Sequence, residues 1–436
     1  MSKQVLSMKH FDKKALDYRE LVHQEKIYEK WGFTQNPYIH KPLTDPEEFE
    51  NLFIGRSGET VEFFKSIQGG PGAFCIEGDY GVGKSSFLNM CLWLAKNRSD
   101  LIVTEPIEIV SRDFMLDILR VSIDGVKRYE NKPSKESKSL IHDIEYTSTT
   151  GKETTKKGGV STILTAEAAS STSTMWQKRE LLTTDYLLNR LKTLGNISKN
   201  ELKKKLIISL DNLEKAKIPD RNYVVNSVAQ LRELTFTYFI LILIGDEKLR
   251  IELSRGSGRL RSIFGNSLTL TPLGLEEFKN AIHRRLSYFS KDREFTTPLN
   301  EEVVHYVFDK CNKRDIRWAF NFLHRIFDMM IKKNYSPKTH TYQEIREIIS
   351  YLAKETFDAL EDSEKRLIGA LKNLGPCSPS DITLQKACGV KRTTIQRTIS
   401  KFRENPEILK KTSSEGKRYK YELGYEMKIL VEEGIL

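Results

Sequence analysis

The sequence predicts an α/β fold: a parallel sheet carrying a phosphate-binding loop, with a small helix-and-ribbon unit at the carboxyl end. Three observations lead there. Short apolar runs of strand length, "AFCIEG", "KKLIISLD" and "YFILILIG", are separated by long helix-compatible stretches, as in βαβ units. The first run opens directly into "GDYGVGKSS" and then into an apolar pattern of helical period. The last part of the chain alternates short helical segments with two strand-like ones.

The bulk properties narrow the choice. A chain of 436 residues has room for two or three domains, each with a core of its own. With 39% apolar and 30% charged residues it is an ordinary globular sequence, which excludes a fibrous or disordered chain. A net charge of +11 favours a polyanionic partner; a solvated Lys-rich surface is the plainer alternative. Five scattered cysteines, none in a CxxC pair, argue against a disulfide framework or a zinc site and for a reducing cytoplasmic setting. The start lacks the apolar stretch of a signal peptide. The longest apolar run, Tyr238 to Gly245, is far short of the roughly 20 residues a membrane helix needs, so no membrane partner is expected.

Taken in order, residues 1–50 read as a helical segment and 51–275 as the sheet core. Gly78, Asp79, Tyr80, Gly81, Val82, Gly83, Lys84 and Ser85 fit GxxxxGK[ST] without a mismatch. Glycines let successive backbone N–H groups turn inward around phosphate oxygens, the helix that follows adds its positive end, and Ser86 is expected among the nucleotide-binding residues. Lys84 is expected to reach the β- and γ-phosphates and Ser85 to ligate Mg²⁺. Phe87, Leu88, Cys91, Leu92 and Ala95 share one face of that helix.

Between this loop and the next strand the chain is longer than the intervening elements require. The surplus, at about 130–180, is rich in Ser, Thr, Gly and Lys and buries little; it reads as a spacer or a hairpin turning at Lys157-Gly158-Gly159. The strand Leu206 to Leu210 then delivers Asp211 at its carboxyl end, where ligands bind in open α/β sheets. Asp211 is expected to complete the Mg²⁺ site with Ser85. The next residue, Asn212, cannot accept a proton from an attacking water, so Glu214 is the substitute candidate, or else a surface residue. The third strand ends at Gly245-Asp246, where Asp246 either approaches the γ-phosphate or caps a helix. These residues support nucleotide binding better than fast hydrolysis.

These motifs, in this order, resemble AAA+ ATPases. "NLFIGR" resembles the box that contacts the adenine side of the nucleotide in that superfamily, which implies roles for Ile54 and Arg56. "NKRDIRWAFNFLHRIFD" resembles the lid motif of the initiator, origin-recognition-like branch and implies that Arg317 is a second sensor arginine, with a lid over 276–345. Arg314 stands where the branch has glycine. The same resemblance places an arginine finger for a neighbouring subunit at Arg259 or Arg261, against the alternative of an exposed basic loop. Signal-transducing ATPases with numerous domains share the loop and the box.

Residues 346–436 read as helix, helix, turn, helix and β-ribbon, and resemble a winged helix-turn-helix. Ile395, Ile399 and Phe402 face inward. Between Asp381 and Lys420 eleven Lys and Arg stand against four Asp and Glu. The outward face of the third helix offers Lys391, Arg392, Thr394, Gln396, Arg397 and Lys401 to a major groove. Lys410, Lys411, Lys417, Arg418 and Lys420 would follow a phosphate strand from the ribbon. The expected protein is therefore an ATP- and Mg²⁺-dependent switch, an ATPase of slow turnover, that binds DNA and self-associates with nucleotide. The alternatives are a defence or signalling ATPase whose winged helix binds protein, and a nucleotide binder with little turnover.

Overall fold

The computed structural model describes residues 27–69, 72–109, 114–130, 135–136, 138, 183–212, 226–246, 266–291, 295–311, 315–402, 405–412 and 419–436. Most of the expected insertion, Glu214, Arg259, Arg261, Arg314, Lys417 and Arg418 lie outside the described residues. The chain divides into two compact units. Pro42–Phe49 and Gly55–Thr271 make the first; Met1–Lys41, Glu50–Ile54 and Pro272–Leu436 make the second.

The first unit is built on one parallel sheet. Its strands are β1 (Gly72–Gly78), β2 (Leu101–Val103), β3 (Ile107–Glu108), β4 (Lys205–Asp211), β5 (Phe239–Gly245) and β6 (Asn266–Leu270). They run in the order β2-β4-β5-β1-β6, with β3 also on β4. All of β5 is buried. A strand covered on both faces and flanked on both edges reads as an unbroken apolar run, which is why "FILILIG" shows no alternation.

The outer edge of β4 is shared by β2 and β3. β2 pairs with Lys205 to Ile207, and β3 with Leu210 and Asp211. Pro106, between the two, has no N–H for a ladder and marks the break on this edge strand. Thr104 spans it, its N–H and Oγ1 both donating to the Ile207 carbonyl at 3.3 and 2.9 Å.

Strand alternation sorts the side chains. Leu206, Ile208 and Leu210 of β4, Leu241 and Leu243 of β5 and Ile107 of β3 share one buried cluster. Helices α4 (Phe114–Lys127) and α5 (Thr184–Asn196) cover that face with Phe114, Ile118, Leu191 and Leu194. The alternate residues, Ser209 and Asp211 among them, therefore point to the opposite face. Helices α1 (Pro46–Leu52) and α2 (Ser57–Gln68) precede β1, α3 (Lys84–Lys96) follows it, and α6 (Arg232–Thr237) precedes β5.

The second unit is helical. It contains α7 (Leu275–Phe289), α8 (Glu301–Lys310), α9 (Ile316–Lys332), α10 (Tyr342–Asp358), α11 (Asp362–Leu374), α12 (Ile382–Cys388), α13 (Arg392–Lys401) and α14 (Tyr425–Glu432), with the antiparallel ribbon β7 (Leu409–Thr412) and β8 (Lys420–Leu423). One hydrophobic cluster runs through it from Trp31 to Leu430. Of the expected amino-terminal helical segment, Trp31 and Tyr38 join this cluster at Phe327, whose ring they meet at 5.2 and 5.9 Å. The last helix, α14, returns to α9 and α10: the buried Glu426 accepts from Arg325 at 2.6 Å and from Thr356 at 2.5 Å. Arg325 of the expected lid and Glu426 of the terminal helix are thus ionic partners across the expected boundary near 346.

Candidate functional site

The glycine-rich loop links β1 to α3 by backbone geometry. Gly81 and Gly83 hold φ of 78° and 93°, a region that side chains with a Cβ rarely adopt. At Gly78 a Cβ would lie 2.8 Å from the Leu270 carbonyl and 3.0 Å from Val82 Cγ1, so the end of β1 packs against the end of β6 only as glycine. Tyr80 is half exposed at the loop's tip, and Val82 is buried beneath it.

Lys84 opens α3. It is buried, and Nζ donates to the Gly78 and Asp79 carbonyls at 3.0 and 3.1 Å, so the ammonium lies along the inside of the loop. Ser85 Oγ donates to Asp211 Oδ2 at 2.8 Å. This contact follows from the alternation along β4, which turns Asp211 away from the apolar cluster and towards α3. A hydroxyl oxygen and a carboxylate oxygen side by side, next to the glycine-rich loop, are the oxygen donors Mg²⁺ prefers; the residues fit that ion. The loop's positive-φ glycines and buried lysine fit a triphosphate in the same way.

The other residues expected at this site divide. Ser86 Oγ accepts the Leu43 amide at 3.1 Å, while Asn89 Nδ2 donates to the Leu43 carbonyl at 3.0 Å. The Ser86 side chain thus ties the chain ahead of α1 to α3. Arg56 is buried, and its guanidinium spans three acceptors: Val82 O at 3.0 Å, Thr271 O at 2.8 Å and Glu59 Oε1 at 3.0 Å. It braces the loop from behind, a role that the sequence did not indicate. Ile54 packs on the cluster of the second unit. Arg317 also belongs to the second unit, in the first turn of α9. There, burial together with the nearby His324 and Arg317 charges holds the His40 pKa below the usual histidine value. Asp246 follows β5, the strand between β1 and β4, so its backbone leaves the sheet between the loop and Asp211.

One acidic residue at this edge went unnoticed in the sequence. Glu108 of β3 is in register with Asp211, and its Oε1 accepts from Asn212 Nδ2 at 3.0 Å. Asn212 itself has φ of 62°, and its N–H donates to Asp211 Oδ1 at 2.7 Å. The only sequence signal was a glutamate alternating with isoleucines in "PIEIV".

The carboxyl-terminal helices present a basic face. Ile395, Ile399 and Phe402 are buried, as their spacing predicted, and Lys391, Arg392, Thr394, Gln396 and Arg397 are exposed. Arg392, Gln396 and Lys411 line one cavity of about 500 Å³ with Ser378, Ser380 and Tyr421. Lys411 Nζ sits 3.3 Å from the Tyr419 ring centroid, and Lys410 lies over Tyr425. Lys401 differs from the rest: Nζ is held by Glu361 and Glu364, each at 3.0 Å, so it points at α11 and its amino end. Cys377 and Tyr421 exchange backbone bonds at 3.0 and 2.8 Å, adding a third short segment to the ribbon.

Comparison with known proteins adds a family. The sequence model described as the KAP family P-loop domain matches residues 61–385. No curated protein matches. Among solved structures, the Aeropyrum pernix ORC1 protein in complex with DNA is similar over 89% of this chain and 95% of its own, at 14% identity and a TM-score of 0.45. The Aeropyrum pernix ORC2 protein, as ADPNP–ADP complexes, is similar over 91% and 98%, at 14% identity and 0.47. A Thermotoga maritima RuvB variant is similar over 83% and 90%, at 11% identity and 0.40. Among the described residues no helix is long and apolar enough to cross a membrane.

Proposed function

The chain belongs to the KAP family of P-loop domains, and on that premise we propose that it is a Mg²⁺-dependent ATPase switch whose carboxyl-terminal basic face binds duplex DNA. The observation that carries the first half is the 2.8 Å contact of Ser85 with Asp211 beside a glycine cradle and a buried Lys84. In this reading Lys84 and the loop N–H groups hold the β- and γ-phosphates, and Ser85 and Asp211 hold Mg²⁺. Held there, the ion would supply neutralisation of the phosphate charge. Arg259 or Arg261 would complete the site from a neighbouring copy, which makes turnover depend on self-association.

The DNA half rests on Lys391, Arg392, Gln396 and Arg397 being exposed on α13, with Lys411 of the ribbon lining the same cavity as Arg392 and Gln396. Helix α13 would lie in the major groove as the reading helix of a winged helix-turn-helix, and the ribbon would follow the backbone. Lys401, committed to Glu361 and Glu364, contributes least.

The tests are direct. Calorimetry should show ATP binding in Mg²⁺ that Lys84→Ala abolishes; equal affinity in the variant rejects the phosphate site. Duplex DNA should be retained at about 50 mM salt and released as salt rises, with a shallower salt slope for Arg397→Ala. Absence of retention with and without ATP rejects the DNA half and favours a protein partner for this face. Sedimentation with and without ATP tests assembly.

A further inference from the structure

The residue after the metal-binding Asp of β4 is Asn212, which leaves the site without a proton acceptor in that position. The neighbouring strand supplies one. β3 is two residues long, and it pairs Ile107 with Leu210 and Glu108 with Asp211. Register partners on adjacent parallel strands point to the same side of the sheet. Ile107 joins Leu210 in the apolar cluster, so Glu108 must share the face of Asp211, the face on which Ser85 of α3 meets that carboxylate. Glu108 is exposed, and Asn212 Nδ2 donates to its Oε1 at 3.0 Å. Asn212 is itself fixed: it adopts φ of 62°, a conformation that asparagine tolerates better than most residues, and its N–H donates to Asp211 Oδ1 at 2.7 Å. Three contacts therefore link four residues: Ser85 to Asp211, the Asn212 N–H to Asp211, and the Asn212 amide to Glu108.

We propose that Glu108, held by Asn212, is the carboxylate that orients and deprotonates the water attacking the γ-phosphate. The assignment rests on the ATPase reading above. The water oxygen forms the new bond to the γ-phosphorus as the bond from that phosphorus to the β–γ bridging oxygen breaks. ADP leaves with the electron pair of the broken bond. The water proton passes to Glu108 and from it to the released phosphate. Asn212 is a positioning residue: its amide fixes one carboxylate oxygen and leaves the other for the water. The acid thus stands on the edge strand, and the amide that holds it follows Asp211.

The full-length chain tests this with Glu108→Gln, Asn212→Gly, the double variant, Glu214→Gln, Asp246→Asn and Lys84→Ala. Glycine at 212 removes the amide while accepting the positive φ. Affinity for a non-hydrolysable ATP analogue in Mg²⁺, measured by calorimetry, should be unchanged within about threefold in Glu108→Gln. Phosphate release should fall about 100-fold or more, the range for losing a general base. Nucleotide extracted from the protein after incubation with ATP should be ATP in Glu108→Gln and ADP in the parent. Asn212→Gly should lower kcat about tenfold with KM unchanged, and the double variant should be no slower than Glu108→Gln, since both act through one carboxylate. Parent turnover no faster than Lys84→Ala overturns the ATPase reading and this assignment with it. Parent turnover that survives in Glu108→Gln, or is lost only in Glu214→Gln or Asp246→Asn, overturns the assignment of Glu108 alone.

Discussion

Arg56 offers the most exacting test of how the loop is shaped. Its buried guanidinium donates to the carbonyls of Val82 and Thr271 at 3.0 and 2.8 Å and to Glu59 at 3.0 Å. Hydrogen bonds from a charged group are each worth about 1.5–3 kcal/mol. Two carbonyl bonds at the lower figure give about 3 kcal/mol; the Glu59 pair, partly exposed, adds less than about 1 kcal/mol. Arg56→Ala should therefore lower the melting temperature of this unit by about 6–12 °C on the scaling for domains of 150–250 residues. The Val82 bond lies inside the phosphate loop, so its loss should also weaken nucleotide binding by about tenfold, the equivalent of about 1.4 kcal/mol. Arg56→Lys keeps the charge, but one compact ammonium cannot reproduce the planar pair of nitrogens that serves the two carbonyls from Nη2 and Glu59 from Nη1, so it should recover stability only in part. The measurements are scanning calorimetry and nucleotide titration on the same preparations. A variant that melts early yet binds ATP as tightly as the parent would refute the claim that Arg56 shapes the loop.

Three further outcomes follow from other contacts. Asp211→Asn should make nucleotide affinity insensitive to Mg²⁺, a loss of about tenfold or more in Mg²⁺ with little change in EDTA, read by calorimetry. Arg325→Ala leaves the buried Glu426 with Thr356 alone and should cost about 3 kcal/mol, whereas Arg325→Met with Glu426→Leu should restore most of it; equal melting of the two variants counts against the pair. Burial, reinforced by Glu426 and Asp315, raises the pKa of Glu407. An acid whose folded pKa lies above its unfolded value loses stability as pH rises from the ordinary glutamate range towards the raised value, so Glu407→Gln should raise the melting temperature near pH 7, and the gain should shrink as pH falls through that range.

Local signals were legible where chemistry and periodicity coincide. The loop from Gly78 to Ser85, the strand ending at Asp211, the buried β5 and the inward face of α13 could each be read from a short window. What the windows missed depends on distant pairing. Arg56 matches a familiar box, but its partner Thr271 is 215 positions away, so its bracing role had no sequence signature. Glu108 sits on a strand of two residues after a proline, too short for any period to register. Lys401 has the spacing of an outward basic residue, yet Glu361 and Glu364 on α11 and its amino end claim it. The terminal helix α14, of mixed character, gave no hint that Glu426 would be buried against Arg325. Family membership came from comparison alone.

The position of Arg56 also bears on how a bound phosphate is felt beyond the loop. Two of the four points at which the chain passes between the units come after Ile54 and after Thr271. Arg56 stands two residues past the first of these points and bonds the carbonyl of the residue at the second, while its same nitrogen holds Val82 in the loop. Gly78 presses on the Leu270 carbonyl from the other side, at a distance that admits no Cβ. Close-packed contacts of this kind are stiff, so a backbone adjustment at Val82 or Gly78 is passed to residues 270 and 271 with little loss. The loop is thus coupled by backbone contacts, not by a relay of side chains through the sheet, to the residues where the chain leaves the nucleotide-binding unit. Because Arg56 bonds both Val82 in the loop and Thr271 at the end of this unit, the brace should matter for affinity and for stability together.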